Sequence, residues 1–137
     1  MELTSYTIER DYPVPADRLF QAFVDPKDLE VWVWAGPKPD LVATVDLRVG
    51  GTYAITGFRG IVVDVVPHRR LVHTVHWDAD VGYESIDEVL VIDVEEAGEG
   101  CRLRYTHLGI PDDGQSAAEH ERSVRITLDY LEKYLTG

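Results

Sequence analysis

Read with a period of two across its turns, the sequence lays one continuous apolar face along an antiparallel sheet. The alternation runs through Tyr53-Ile55, Ile61-Val63-Val65 and Leu71-His73-Val75-Trp77. It continues through Ile86-Glu88-Leu90-Ile92-Val94 and Cys101-Leu103-Tyr105-His107. Three strongly polar side chains interrupt this face: His73, Glu88 and His107. A face this apolar must be covered, and an ionisable group set within it is costly unless it pairs or binds something. Function is therefore sought on the covered face.

The cover is visible further along the chain. Ala117, Glu121, Val124, Leu128, Leu131 and Leu135 step by three or four residues, the stripe of a long amphipathic helix. Ser116 with Glu119 offers a capping box at its start, and Asp112 and Asp113 suit the positive end of its dipole. Upstream, residues 4–12 alternate as a first strand, ended by Pro13 and Pro15. Leu19, Phe20, Phe23 and Val24 then repeat at helical spacing, and a short second helix runs from Pro26 to Trp32. Six strands follow, over residues 41–47, 52–56, 61–66, 70–77, 83–95 and 101–108, joined by turns short enough to make neighbours antiparallel. The helix stripe needs a partner and the sheet needs a cover. Together they imply an α+β fold, one domain over residues 1–137, with a sheet wrapped around the C-terminal helix.

Opposed residues in an antiparallel pair share a face. Turns centred near residue 68, between 80 and 81, and between 97 and 98 oppose Val63 to His73, His73 to Glu88, and Glu88 to His107. A slip of two residues keeps the face but moves a partner by about 7 Å. Three readings of the trio stand side by side. It is a carboxylate–imidazole hydrogen bond that satisfies buried groups, or a polar spot that anchors a ligand in an apolar cavity with Tyr105 adding a hydroxyl. Or it is chemistry, with Glu88 polarising a histidine for acid–base work or two histidines and a carboxylate holding zinc.

The rest of the sequence narrows the function classes. It carries 25 acidic against 13 basic residues, a formal charge of −12. That field repels phosphate backbones and anionic lipid headgroups, so neither nucleic acid nor membrane is an expected partner. The N-terminus shows no basic region followed by an apolar run, which makes the cytoplasm the expected location. The single cysteine, Cys101, falls on the apolar face and reads as a buried, inert thiol. No Ser nucleophile motif, CxxC pair or HExxH occurs, and Gly50-Gly51 is a turn rather than a phosphate loop. No cofactor or metal is expected.

Several stretches, in order, resemble the activator of heat-shock-protein-ninety ATPase homologue family of the START-like (SRPBCC) superfamily. They are Ile8-Glu9-Arg10 leading to Pro15-Ala16-Asp17-Arg18-Leu19-Phe20, Asp25-Pro26 with Trp32, and Asp46-Leu47-Arg48-Val49-Gly50-Gly51-Thr52-Tyr53. Gly60-Ile61-Val62-Val63-Asp64-Val65-Val66-Pro67, Cys101-Arg102-Leu103-Arg104-Tyr105-Thr106-His107 and the closing Leu128-Asp129-Tyr130-Leu131-Glu132-Lys133-Tyr134-Leu135 complete the match. The resemblance implies a helix-grip fold with a cavity between sheet and C-terminal helix, which in the superfamily often takes apolar ligands. Some members have become cyclases or hydrolases. Where the C-terminal helix of such relatives often has a Gly-Trp pair, this sequence has Ser123-Val124, a change that enlarges the cavity or alters its floor.

The leading expectation is a small, largely apolar ligand in a cavity lined by Trp32, Tyr53, Ile55, Val63, Leu90, Leu103 and Tyr105. His73, Glu88 and His107 orient its polar end. The alternatives are an enzyme using Glu88 with His73 or His107 as an acid–base pair, and a protein-interaction module akin to the chaperone regulators. The chaperone regulator that names the family has an additional N-terminal domain with no counterpart here, so a chaperone partner is the weakest of the three. A homodimer through an exposed edge strand is compatible with the pattern.

Overall fold

The computed structural model describes residues 2–137. Seven strands are present: β1 (Leu3–Tyr12), β2 (Ala43–Val45), β3 (Thr52–Ile55), β4 (Phe58–Val66), β5 (Arg70–Trp77), β6 (Glu88–Ala97) and β7 (Gly100–Pro111). They form one antiparallel sheet in the order β1-β7-β6-β5-β4-β3-β2. From β2 onward each strand lies beside its neighbour in sequence, while β1 closes the far edge against β7. Helices α1 (Ala16–Val24) and α2 (Pro26–Trp32) and a 3₁₀ turn at Val33–Ala35 fill the connection from β1 to β2. The long helix α3 (Ser116–Thr136) follows β7. This is the α+β helix-grip architecture.

The elements are tied by polar ends of otherwise apolar side chains. The last carbonyls of a helix lack partners within it. Trp32 Nε1 donates to Ala22 O at 2.8 Å and Tyr53 Oη to Phe23 O at 2.6 Å, so α2 and β3 satisfy the C-terminal end of α1. Asp25 caps α2 by accepting from the Lys27 amide, and Pro26 follows it where a missing N–H costs nothing. The Asp28 carboxylate accepts from Arg18 on α1 and Tyr134 on α3. Tyr12 Oη donates to Leu128 O at 3.1 Å, seating α3 on β1, with Leu128 and Leu131 buried beneath it.

Several sequence-derived details are corrected. The start of α3 is capped by Asp113, which accepts from the amides of Gln115 and Ser116 and from Ser116 Oγ; the Ser116–Glu119 box does not form. In β4 the register to β5 shifts between Val62 and Asp64. That bulge adds one residue, so Val62 turns inward to oppose His73 and Val63 turns out, 50% exposed. Val63 therefore leaves the cavity wall.

The β5–β6 and β6–β7 pairings both slip by two residues from expectation. His73 opposes Leu90 rather than Glu88, Val75 opposes Glu88, and Leu90 opposes His107. The face survives because side chains alternate with period two, but the rungs change. The physical reason differs at each end. The β6–β7 turn places only Gly98 and Glu99 between the paired Ala97 and Gly100, with Gly98 at φ +61°, the conformation a two-residue hairpin demands of its first central residue. Between β5 and β6, strand pairing stops at Val75 and Glu88, and residues 78–87 form an irregular loop instead of extending β6 back to residue 83. Ile86, expected on the covered face, is exposed in that loop.

Candidate functional site

Between α3 and the covered face of the sheet lies a cavity of about 550 Å³. Strands β3 to β7 form its wall through Tyr53, Ile55, Phe58, His73, Val75, Trp77, Leu90, Ile92, Tyr105 and His107. From α3 come His120, Ser123, Val124, Thr127 and Leu128; Trp32, Trp34, Ala79 and Val81 complete the rim. The volume is within the usual range for small-molecule sites, and most of the lining is aliphatic or aromatic. Ser123 and Val124 are part of this lining.

Trp34 reaches the cavity because its backbone is left-handed at φ +62°, a conformation costly for a bulky residue. Its Nε1 donates to Thr56 O at 3.0 Å, and its ring meets Phe58 and Trp77.

Of the ten residues expected from sequence, Trp32, Tyr53, Ile55, His73, Leu90, Tyr105 and His107 line the cavity. Val63 faces outward, and Leu103 is wholly buried in the core but does not touch the cavity. Glu88 stands one layer back, fully buried behind the lining residues Trp77 and His107.

The polar trio divides into two parts. His107 Nε2 donates to Glu88 Oε1 at 2.7 Å, and Tyr6 Oη, directly across on β1, donates to His107 Nδ1 at 3.4 Å. Both ring nitrogens of His107 are thus occupied. Glu88 accepts two further bonds, from Trp77 Nε1 at 3.1 Å and from Tyr83 Oη at 2.9 Å. Three donors compensate the burial of this carboxylate. Gly109 makes room for it: a Cβ there would lie 3.3 Å from Glu88 Cα, and φ is +90°.

His73 is separate from this group. Its ring stacks on Tyr53 at 3.9 Å between centroids, and Nδ1 donates to Thr74 O at 2.9 Å. Nε2 has no hydrogen-bond partner among the described residues. Burial is the main reason that its pKa falls from 6.5 to about 4, with the neighbouring His107 adding to the fall and the Thr74 carbonyl opposing it. His73 is neutral at physiological pH, with its lone pair on Nε2.

Two members of the polar group were not singled out from sequence. Tyr83 sits in the 78–87 loop, and its hydroxyl also lies 3.0 Å from Nε2 of His120 on α3. Burial, chiefly, and the adjacent Glu88 raise the Tyr83 phenol, while burial and then His107 lower His120. A signal for His120 existed. Placing the stripe on residues 120, 124, 128, 131 and 135, rather than on Glu121, puts His120 on the covering face of α3. Tyr83 carried no such signal, because its position depends on a loop without periodicity.

Among the described residues, no group of three or more His, Cys, Asp and Glu side chains is placed to hold a metal ion. His73 and His107 share a rung but are kept apart by Leu90 on the intervening strand, and the nitrogens of His107 are already committed. None of the described helices is long and apolar enough to cross a membrane.

The family described as "Activator of Hsp90 ATPase homolog 1-like protein" matches residues 13–136. No curated protein matches the sequence. Among solved structures, the chain is similar to Mll3558 of Rhizobium loti at 27% identity and TM-score 0.77, covering 96% of each chain. It is similar to CalU16 of Micromonospora echinospora at 24% identity and TM-score 0.78, over 98% of this chain and 75% of that one. PFC0360w of Plasmodium falciparum, described as an HSP90 activator, aligns at 21% identity and TM-score 0.77, over 96% of each chain.

Proposed function

The chain belongs to the activator of Hsp90 ATPase homolog 1-like family, and from that premise we propose that it binds a small, largely apolar molecule in the cavity between α3 and the sheet. The observation that carries this reading is the cavity itself: about 550 Å³ lined by aromatic and aliphatic side chains, with its polar atoms gathered on a few residues. An apolar wall of this kind holds a ligand through the area it removes from water, roughly 25 cal/mol per Å². The few polar groups then fix its orientation.

The family resemblance supports the same reading, since the helix-grip cavity commonly carries apolar ligands. Acid–base catalysis by Glu88 with His107 is less well supported, because His107 has no free nitrogen and Glu88 accepts three hydrogen bonds. The pairing of Glu88 with His73 is less well supported too, because His73 gives its N–H to the Thr74 carbonyl and makes no hydrogen bond to Glu88. Likeness to the Plasmodium activator, at 21% identity, carries the fold and not the partner.

The test uses Nile red, an uncharged dye whose fluorescence rises in apolar surroundings. The native protein should bind it saturably. Val124→Trp, which fills the cavity floor from α3, should weaken that binding at least tenfold while the folded far-ultraviolet spectrum is kept. Equal binding by the two proteins would place the dye elsewhere and overturn the proposal.

A further inference from the structure

The hydrogen bonds around Glu88 have a direction, and that direction reaches the cavity. A carboxylate only accepts, so the 2.9 Å contact from Tyr83 spends the single phenolic proton on Glu88 Oε2. The 3.0 Å contact between Tyr83 Oη and His120 Nε2 then has to be donated by His120. A neutral imidazole that gives its N–H from Nε2 carries its lone pair on Nδ1. His120 lines the cavity, and Nδ1 makes no hydrogen bond among the described residues.

His73 reaches the same state by another route. Its N–H is spent on the Thr74 carbonyl, and the unpartnered Nε2 belongs to a fully buried side chain in the cavity wall. The two histidines of the cavity that are not tied up at both nitrogens therefore both present acceptors. A ligand that brings only acceptors, or an anionic group, leaves these lone pairs facing lone pairs. A ligand that brings a donor satisfies one of them, and a buried acceptor left unmatched is costly.

We propose that Glu88 acts through Tyr83 to hold His120 in the tautomer with a free Nδ1, so that the cavity selects ligands bearing an O–H or N–H donor on an otherwise apolar body. This rests on the reading of the cavity as a binding site. Glu88 and Tyr83 are positioning residues in this arrangement, and His120 and His73 are the groups that meet the ligand.

Equilibrium dialysis with para-phenylphenol and its methyl ether separates the two levels of the argument. The pair shares an apolar body and differs in one donor. The native protein should bind the phenol about tenfold more tightly than the ether, equivalent to ~1.4 kcal/mol. Glu88→Gln tests the relay. Its amide N–H can donate to Tyr83, whose own proton then turns to His120 and moves the imidazole N–H to Nδ1. The preference for the phenol should fall at least threefold, with binding of the ether retained and the remainder carried by His73. His120→Phe should lower the ratio of phenol to ether affinity to a similar extent, and keeps the test decisive if Glu88→Gln does not fold.

If the native protein binds phenol and ether equally, the donor selection is overturned while the cavity reading stands. Absence of binding by either probe, with Nile red also excluded, overturns the cavity reading itself. A tenfold preference that survives in both variants overturns the role of His120.

Discussion

Replacing His73 with Phe removes a titrating group while leaving a ring to stack on Tyr53 and Phe58. In the native protein burial depresses the His73 pKa from 6.5 to about 4. The sign follows from proton counting: below pH 6.5 the unfolded chain takes up a proton at this site that the folded protein refuses until about pH 4. Stability is therefore fully present above the unfolded value and is lost as pH falls through the window from 6.5 to about 4. The full shift corresponds to about 3 kcal/mol, of which ~2 kcal/mol is expressed between pH 7 and pH 4.5. His120 is shifted in the same direction and persists in the variant. The lowered carboxyls of Asp28 and Asp113 act below about pH 4, beneath this range.

Urea unfolding followed by tryptophan fluorescence at pH 7 and pH 4.5 measures the difference. With a slope of ~2 kcal/mol per M, the native midpoint should fall by roughly 1 M more than that of His73→Phe. Parallel losses in the two proteins would refute the assignment of this window to His73.

Three further outcomes are expected. Glu88→Ala leaves the buried His107 N–H without its acceptor, while Trp77 and Tyr83, only half-buried, can turn to water; it should cost ~2–4 kcal/mol by urea unfolding, with Glu88→Gln costing less. Gly109→Ala forces a Cβ into a left-handed backbone at φ +90° and against Glu88, and should lower stability by at least ~1–2 kcal/mol; an unchanged midpoint would contradict the close approach. Cys101 is buried, and burial pushes its thiol up to about 11, so Ellman's reagent should label it only under unfolding conditions.

Much of the fold was legible because periodicity reports burial directly. The change from period two to period 3.6 near residue 116 marks the passage from sheet to covering helix, and Pro15, Pro26 and the glycine turns punctuate the rest. Register was less legible for a definite reason. A two-residue slip conserves the apolar face, so the pattern that identifies the face cannot distinguish the rungs. The bulge at Val63 is hidden for a related reason, since Val62 and Val63 are chemically identical and either can face inward.

The candidate site inherited these limits. In the true register Glu88 is the diagonal neighbour of both histidines; its hydrogen bond goes to His107, while His73 turns its N–H to the Thr74 carbonyl. His120 and Tyr83 depend on how α3 and the 78–87 loop lie over the sheet, which no strand alternation encodes.

The binding of an apolar molecule between α3 and the sheet is tested most directly by nuclear magnetic resonance with naphthalene as the probe, using methyl-labelled protein. Intermolecular Overhauser effects should connect naphthalene to the methyl groups of Val75, Leu90 and Val124, which line the cavity from β5, β6 and α3. Effects confined to outward-facing methyls such as those of Val63 and Ile61, or none at saturating probe, would contradict it.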